Sequence, residues 1–129
     1  MPLISQLVHH PAFLSEVVEA IRQQVLGALI HDHGIEGTVT DYRLTTALDF
    51  QPAECVGTTC SIAFSGRGEA TGTGPGPQTN SPVTFLTERP LLGYVDVAWP
   101  EGSKAGTREE FQALYASMVF DIRVESAGF

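Results

Sequence analysis

The side chains best equipped for chemistry are four histidines, two cysteines and a scatter of carboxylates. His31 and His33 flank Asp32, His9 and His10 are adjacent, and four residues separate Cys55 from Cys60. A metal centre would recruit His31 and His33 with a cysteine or a carboxylate. Side chains two apart on a helix diverge, however. The surrounding pattern puts both histidines in a last helical turn, where imidazoles favour the negative end of the dipole. A zinc site on the cysteines would want a second pair or histidines at matching spacing, and a redox pair would stand closer and open a helix. Cys60 therefore reads as a small buried strand residue and Cys55 as a loop residue, with no disulfide framework.

Other candidates fare no better. The alternating glycines of 66–76 suggest a phosphate cradle, but that chemistry needs a helix N-terminus after the run, and prolines follow instead. Ser65 precedes Gly66 without the flanks of a nucleophile elbow. Glu109 and Glu110 sit where acids stabilise the start of a helix. No catalytic residue, metal ligand or cofactor is assigned.

The elements that would position such groups are clearer. Leu14, Val18, Ile21, Val25 and Leu29 recur at steps of three or four with polar residues between them. This spacing predicts an amphipathic helix over 11–34, started by Pro11 and stopped by Gly34, with a short turn at Leu3–Val8 before it. From Val39 the period becomes two: Tyr42, Leu44, Leu48 and Phe50 share a face, which predicts one strand. Cys60, Ile62 and Phe64 predict a second strand, antiparallel to the first across a loop at 51–59. Residues 66–82 hold five glycines and three prolines and read as an extended arm. Two strands follow at 83–86 and 92–99, the latter with Val95, Val97 and Trp99 on one face. Thr107 and Glu110 form a capping box ahead of a helix carrying Phe111, Leu114, Tyr115 and Met118. Phe120, Ile122 and Val124 predict a last strand. The expected fold is α+β: an N-terminal amphipathic helix and a C-terminal helix on a mostly antiparallel sheet of about five strands, in one domain spanning 1–129.

Composition narrows the function. Fifteen acidic against seven basic residues in 129 give a net charge of −8. That disfavours nucleic acid and anionic membrane surfaces, both of which need a basic patch. The first residues lack the basic-then-apolar pattern of a signal peptide, so synthesis in a cytoplasm is expected.

Asp96-Val97-Ala98-Trp99-Pro100-Glu101, followed by a polar turn, a Thr-led helix and a final strand, resembles the C-terminal part of lambda-type bacteriophage head decoration proteins. The Val83-Thr84-Phe85 strand and Tyr94 also fall where that family has comparable residues. The resemblance covers the last third of the chain. It implies a small, non-enzymatic virion protein that oligomerises with itself, sitting as a trimer on the outside of an icosahedral shell and cementing other virion proteins. This chain departs from the family in opening on a strong helix and in carrying its glycine-rich segment internally. The expected interface residues are Trp99 and Pro100, with Gly72, Gly74, Pro75, Gly76 and Pro77 of the arm. One alternative is a small-molecule enzyme or binding protein, with a pocket between the first helix and the sheet drawing on Tyr42, Arg43, His31 and Asp49. Another is an acidic adaptor for a basic partner, resting on charge alone.

Overall fold

A computed structural model describes residues 2–32, 34–75, 81–103 and 106–128. The chain is α+β. Helix α1 (Pro2–Val8) and helix α2 (Pro11–Val25) are separated by the break that Pro11 imposes. His10 caps α2 by accepting the Ala12 N–H through its ring nitrogen. Phe13, Val17, Ile21 and Val25 form the buried stripe of α2, so the buried face runs through Phe13 and Val17 and not, as the spacing suggested, through Leu14 and the exposed Val18. The helix stops nine residues short of the expected Gly34 because Gly27 adopts a left-handed φ of 82°. Its successors Leu29–Asp32 form strand β1, so Leu29, read as the end of the stripe, is largely exposed on a strand while Ile30 is buried.

Strand β2 (Ile35–Leu44) pairs antiparallel with β1, and β3 (Asp49–Phe50) and β4 (Glu54–Val56) are short. Two long strands, β5 (Thr59–Pro75) and β6 (Pro82–Ala98), pair without a register break from Thr59–Ala98 to Pro75–Pro82. Helix α3 (Arg108–Ser117) starts on the expected Thr107–Glu110 capping box, and β7 (Val119–Ser126) follows it. The main strand order is β1-β2-β5-β6-β7, with β3 and β4 pairing further along β5 on its β2 side. Among the described residues the sheet has seven strands, not about five.

Three expectations about strands need correction. The strand foreseen from Val39 to Phe50 breaks after Leu44, and its burial phase shifts partway along. Gly37 and Val39 point inward, then Tyr42 and Leu44, because a bulge at Thr40 adds one residue between the pairs Val39–Gly72 and Asp41–Thr71. The segments 83–86 and 92–99 belong to one strand running through Pro90. Most consequentially, residues 66–75 of the foreseen arm are strand; residues 76–80 lie outside the described residues.

The glycine-rich half of β5 has a steric reason. Cys60, Ile62, Phe64, Gly68, Ala70 and Gly72 are all even-numbered and buried, so one inner face runs through both halves. In the first half large side chains fill that face. In the second, neighbours lie across it. A Cβ on Gly68 would collide with the ring and hydroxyl of Tyr42, and one on Gly72 would meet Phe85 at 2.5 Å and Ile30 at 3.0 Å. The odd positions Arg67, Glu69, Thr71 and Thr73 face outward. There Arg43 pairs with Glu69 at 2.9 Å and Arg67 with Glu88 at 2.7 Å.

The sheet curls around the end of α2. On one flank Arg22 bonds Asp41 of β2, and the Gly27 N–H donates to the Val39 carbonyl. On the other, the Gln24 carboxamide bonds β7. One buried cluster joins Ile4, Leu7, Phe13 and Val17 to Ile62, Phe64, Val95, Val97 and Trp99.

Candidate functional site

The structure scatters the groups that sequence reasoning offered for chemistry. His31 lies exposed on β1, 3.8 Å from Glu36, not in a helical turn, and His33 lies outside the described residues. Cys55 and Cys60 face each other across β4 and β5 and are joined by a disulfide; Cys55 is a strand residue, not a loop residue. While bonded, neither sulfur is available as a nucleophile or ligand. Among the described residues no group of three or more His, Cys, Asp or Glu could hold a metal, and no helix is long and apolar enough to cross a membrane.

The four polar residues offered for a pocket do not converge. Tyr42 is 4% exposed, and its hydroxyl is buried without a partner among the described residues. Burial pushes its ionisation up. Arg43 points outward to Glu69. Asp49 alone reaches a groove of about 620 Å³ between α2 and the β2–β3 link, with His9 and the apolar Val8, Leu14, Val18, Leu44 and Leu48.

The expected interface residues divide as well. Trp99 is a core residue at 9% exposure, its backbone N–H donating to the Thr58 carbonyl, and Pro100 beside it is exposed. Gly72 is buried in β5, and Gly74 and Pro75 sit at the end of that strand. Gly76 and Pro77 lie outside the described residues.

What the strand pairing does create is an edge. Strand β7 covers β6 only from Leu92 to Ala98. Residues 82–88 of β6 therefore have β5 on one side and no strand on the other among the described residues. Which of their main-chain groups face that open side follows from Gln24. Its Nε2–H donates to the Ile122 carbonyl, and its Oε1 accepts the Val124 N–H at 2.8 Å. In an antiparallel ladder each residue points its N–H and C=O to one side, alternating along the strand. The even residues of β7 thus face away from β6, and the pairs Val95–Ile122 and Gly93–Val124 make odd residues of β6 face β5. The even residues of β6 face the other way.

Two independent features agree with this phase. The Thr45 and Gln51 N–H groups donate to the carbonyls of Arg67 and Ala63, odd residues on the far side of β5, as the same alternation requires. Pro82 and Pro90 are both even, so the donors they lack would have pointed outward, the position a strand proline tolerates. The open edge therefore presents the N–H groups of Thr84, Leu86 and Glu88. The Glu88 carbonyl is already engaged by Arg89 Nη1 at 3.1 Å, and the end of the chain at Gly128 packs on the Arg89 stem.

The contrast with β7 is instructive. There a helix side chain supplies both a donor and an acceptor to the outermost strand. Gln24 is one of the polar residues between the apolar positions of the first helix, and no spacing rule distinguishes it from Gln23. The glycine strand did leave a signal: every even position from 66 to 74 is Gly or Ala, in phase with Cys60, Ile62 and Phe64. No protein-family model matches the chain, and no curated protein or solved structure matches it.

Proposed function

We propose that the chain is a non-enzymatic assembly protein, a bacteriophage virion component such as a head decoration or other capsid or tail subunit, that works through subunit contacts. The observation that supports this reading most is the edge of β6 at residues 82–88, where main-chain donors stand beside the 61% exposed Leu86. Such an edge favours pairing with another strand, and soluble proteins usually blunt or cover theirs. The likeness of residues 96–101 to head decoration proteins supplies the virion context. Partners are then copies of the chain and other virion proteins.

Two measurements test it. Light scattering after size exclusion should give a mass above that of one chain, and mass spectrometry should find the chain in particles released by the strain that encodes it. A strict monomer absent from those particles would overturn the proposal.

A second reading rests on the groove bordered by Val8, Leu14, Val18 and Leu48. Its mostly apolar lining with Asp49 and His9 suits a small apolar ligand with one basic or hydrogen-bonding group. Saturable binding of such a probe, lost in Leu14→Glu, would favour this reading. Its absence at millimolar probe would remove it.

A further inference from the structure

We infer that two copies of the chain join their sheets antiparallel across a two-fold axis at Phe85, over residues 82–88. The inference rests on the assembly reading and adds the occupant and the register.

Counting donors and acceptors selects that register. With Phe85 opposite its symmetry mate, Thr84 faces Leu86 and Pro82 faces Glu88. All three are even residues, whose main chains point outward on the phase fixed by Gln24. Thr84 and Leu86 then exchange both of their hydrogen bonds with each other across the axis. The Glu88 N–H donates to the Pro82 carbonyl. Pro82 has no N–H to return, and the Glu88 carbonyl needs none, because Arg89 already occupies it. Every outward donor finds an acceptor. A register centred one residue later, on Leu86, fails this test. It would set Pro82 beside Pro90 and Val83 beside Arg89, where Gly128 already packs.

The side chains agree with the main chain. Phe85 is half-buried on the inner face, and an aromatic pair across the axis extends the core from one copy into the next. Val83 faces Thr87 on the same side. On the outer face exposed Leu86 lies against Thr84 and Pro82 against Glu88, so no like charges meet. Residues 82–90 carry one acid and one base, a neutral stretch in a chain of net charge −8. A strongly basic or acidic partner strand would find no complement there; a second copy does. The joint is short, which places it among the weaker, concentration-dependent contacts.

The test exploits the cross-axis neighbours Thr84 and Leu86, both exposed and set opposite Thr73 and Thr71 of β5. Sedimentation equilibrium of the wild-type chain over a ~100-fold concentration range should show a monomer–dimer equilibrium. Thr84→Lys with Leu86→Lys sets lysine against lysine twice and should weaken the dimer by roughly tenfold or more at low salt. Thr84→Glu with Leu86→Lys sets opposite charges against each other and should restore or tighten it. Far-ultraviolet circular dichroism checks that both double variants keep the fold. A wild-type chain that stays monomeric, or a dimer indifferent to both variants, overturns the inference. A monomer still found in particles would sink the edge pairing alone, and an edge-paired dimer missing from particles would sink the assembly reading alone.

Discussion

The two halves of the β5–β6 hairpin obey one alternation and solve opposite packing problems. In the half nearer Thr59 and Ala98, the inner face carries Cys60, Ile62, Phe64, Val95 and Val97, and strands pair on both sides. In the half nearer Pro75 and Pro82, the inner face of β5 is Gly68, Ala70, Gly72 and Gly74, filled from outside by Tyr42, Phe85 and Ile30. The first half contributes volume to the core; the second receives it. The second half also leaves its β6 edge open. The larger share of the core side chains thus sits at one end of the hairpin, and the open edge at the other.

That division can be broken from either side. Phe64 is 2% exposed, and Phe64→Ala should cost about 3–5 kcal/mol in denaturant unfolding, because the cavity opens where the sheet meets α2. Gly68→Ala adds volume where none is free and should cost about 1–3 kcal/mol. Its loss should shrink when Tyr42→Leu removes the ring that the new methyl meets; additive losses would mean the ring is not the obstacle.

Reducing the Cys55–Cys60 bridge should lower stability by about 2 kcal/mol, the scale for a short closed loop, without disturbing the far half. Exchange rates of amides in residues 68–74 before and after reduction would show whether the two ends are as separate as proposed.

Gln24→Ala probes the guarded edge. Releasing the Ile122 carbonyl and the Val124 N–H to water should cost about 1 kcal/mol and speed exchange at the Val124 amide. No change at Val124 would contradict the role given to the carboxamide.

The smallest effect is a pH response at the junction of the helices. Burial and the hydrogen bond that Tyr115 donates to Glu16 push its ionisation up to about 12, while His10 stacks on its ring. A group raised in the folded state contributes stability that is intact below its unfolded value near pH 10 and lost as pH climbs towards 12. Ultraviolet titration of phenolate should therefore show a late component missing from Tyr115→Phe. Asp41 works in the opposite direction. Its hydrogen bond with Arg22, and then that from the Tyr42 N–H, hold it below the usual carboxylate range, so its small contribution fades only in acid.

Much of the fold was legible in local chemistry. Pro11, the Thr107–Glu110 box and the alternations at Cys60–Phe64 and Phe120–Val124 each act over a few residues, and each appears in the structure, whereas the stripe of α2 keeps Ile21 and Val25 but runs through Phe13 and Val17 in place of Leu14 and the exposed Val18. The misreadings came where distant partners decide. Glycine propensity argued for a loop at 66–75, whereas the rings of Tyr42 and Phe85, far off in sequence, make glycine the residue a strand can carry there. The bulge at Thr40 shifted a phase that no single strand reveals. The disulfide depended on the β4–β5 register, which sets Cys55 opposite Cys60. The candidate edge was the least legible of all, because an open strand is defined by where its neighbour stops, and β7 stops at Ser126.

Hydrogen exchange, read amide by amide across residues 83–88 in dilute, monomeric protein, probes the phase of β6 without passing through any variant. The amides of Thr84, Leu86 and Glu88 should exchange rapidly while those of Val83, Phe85 and Thr87 stay protected by β5. Uniform protection, or the reverse alternation, would contradict the open edge on which the assembly reading and the self-pairing both stand.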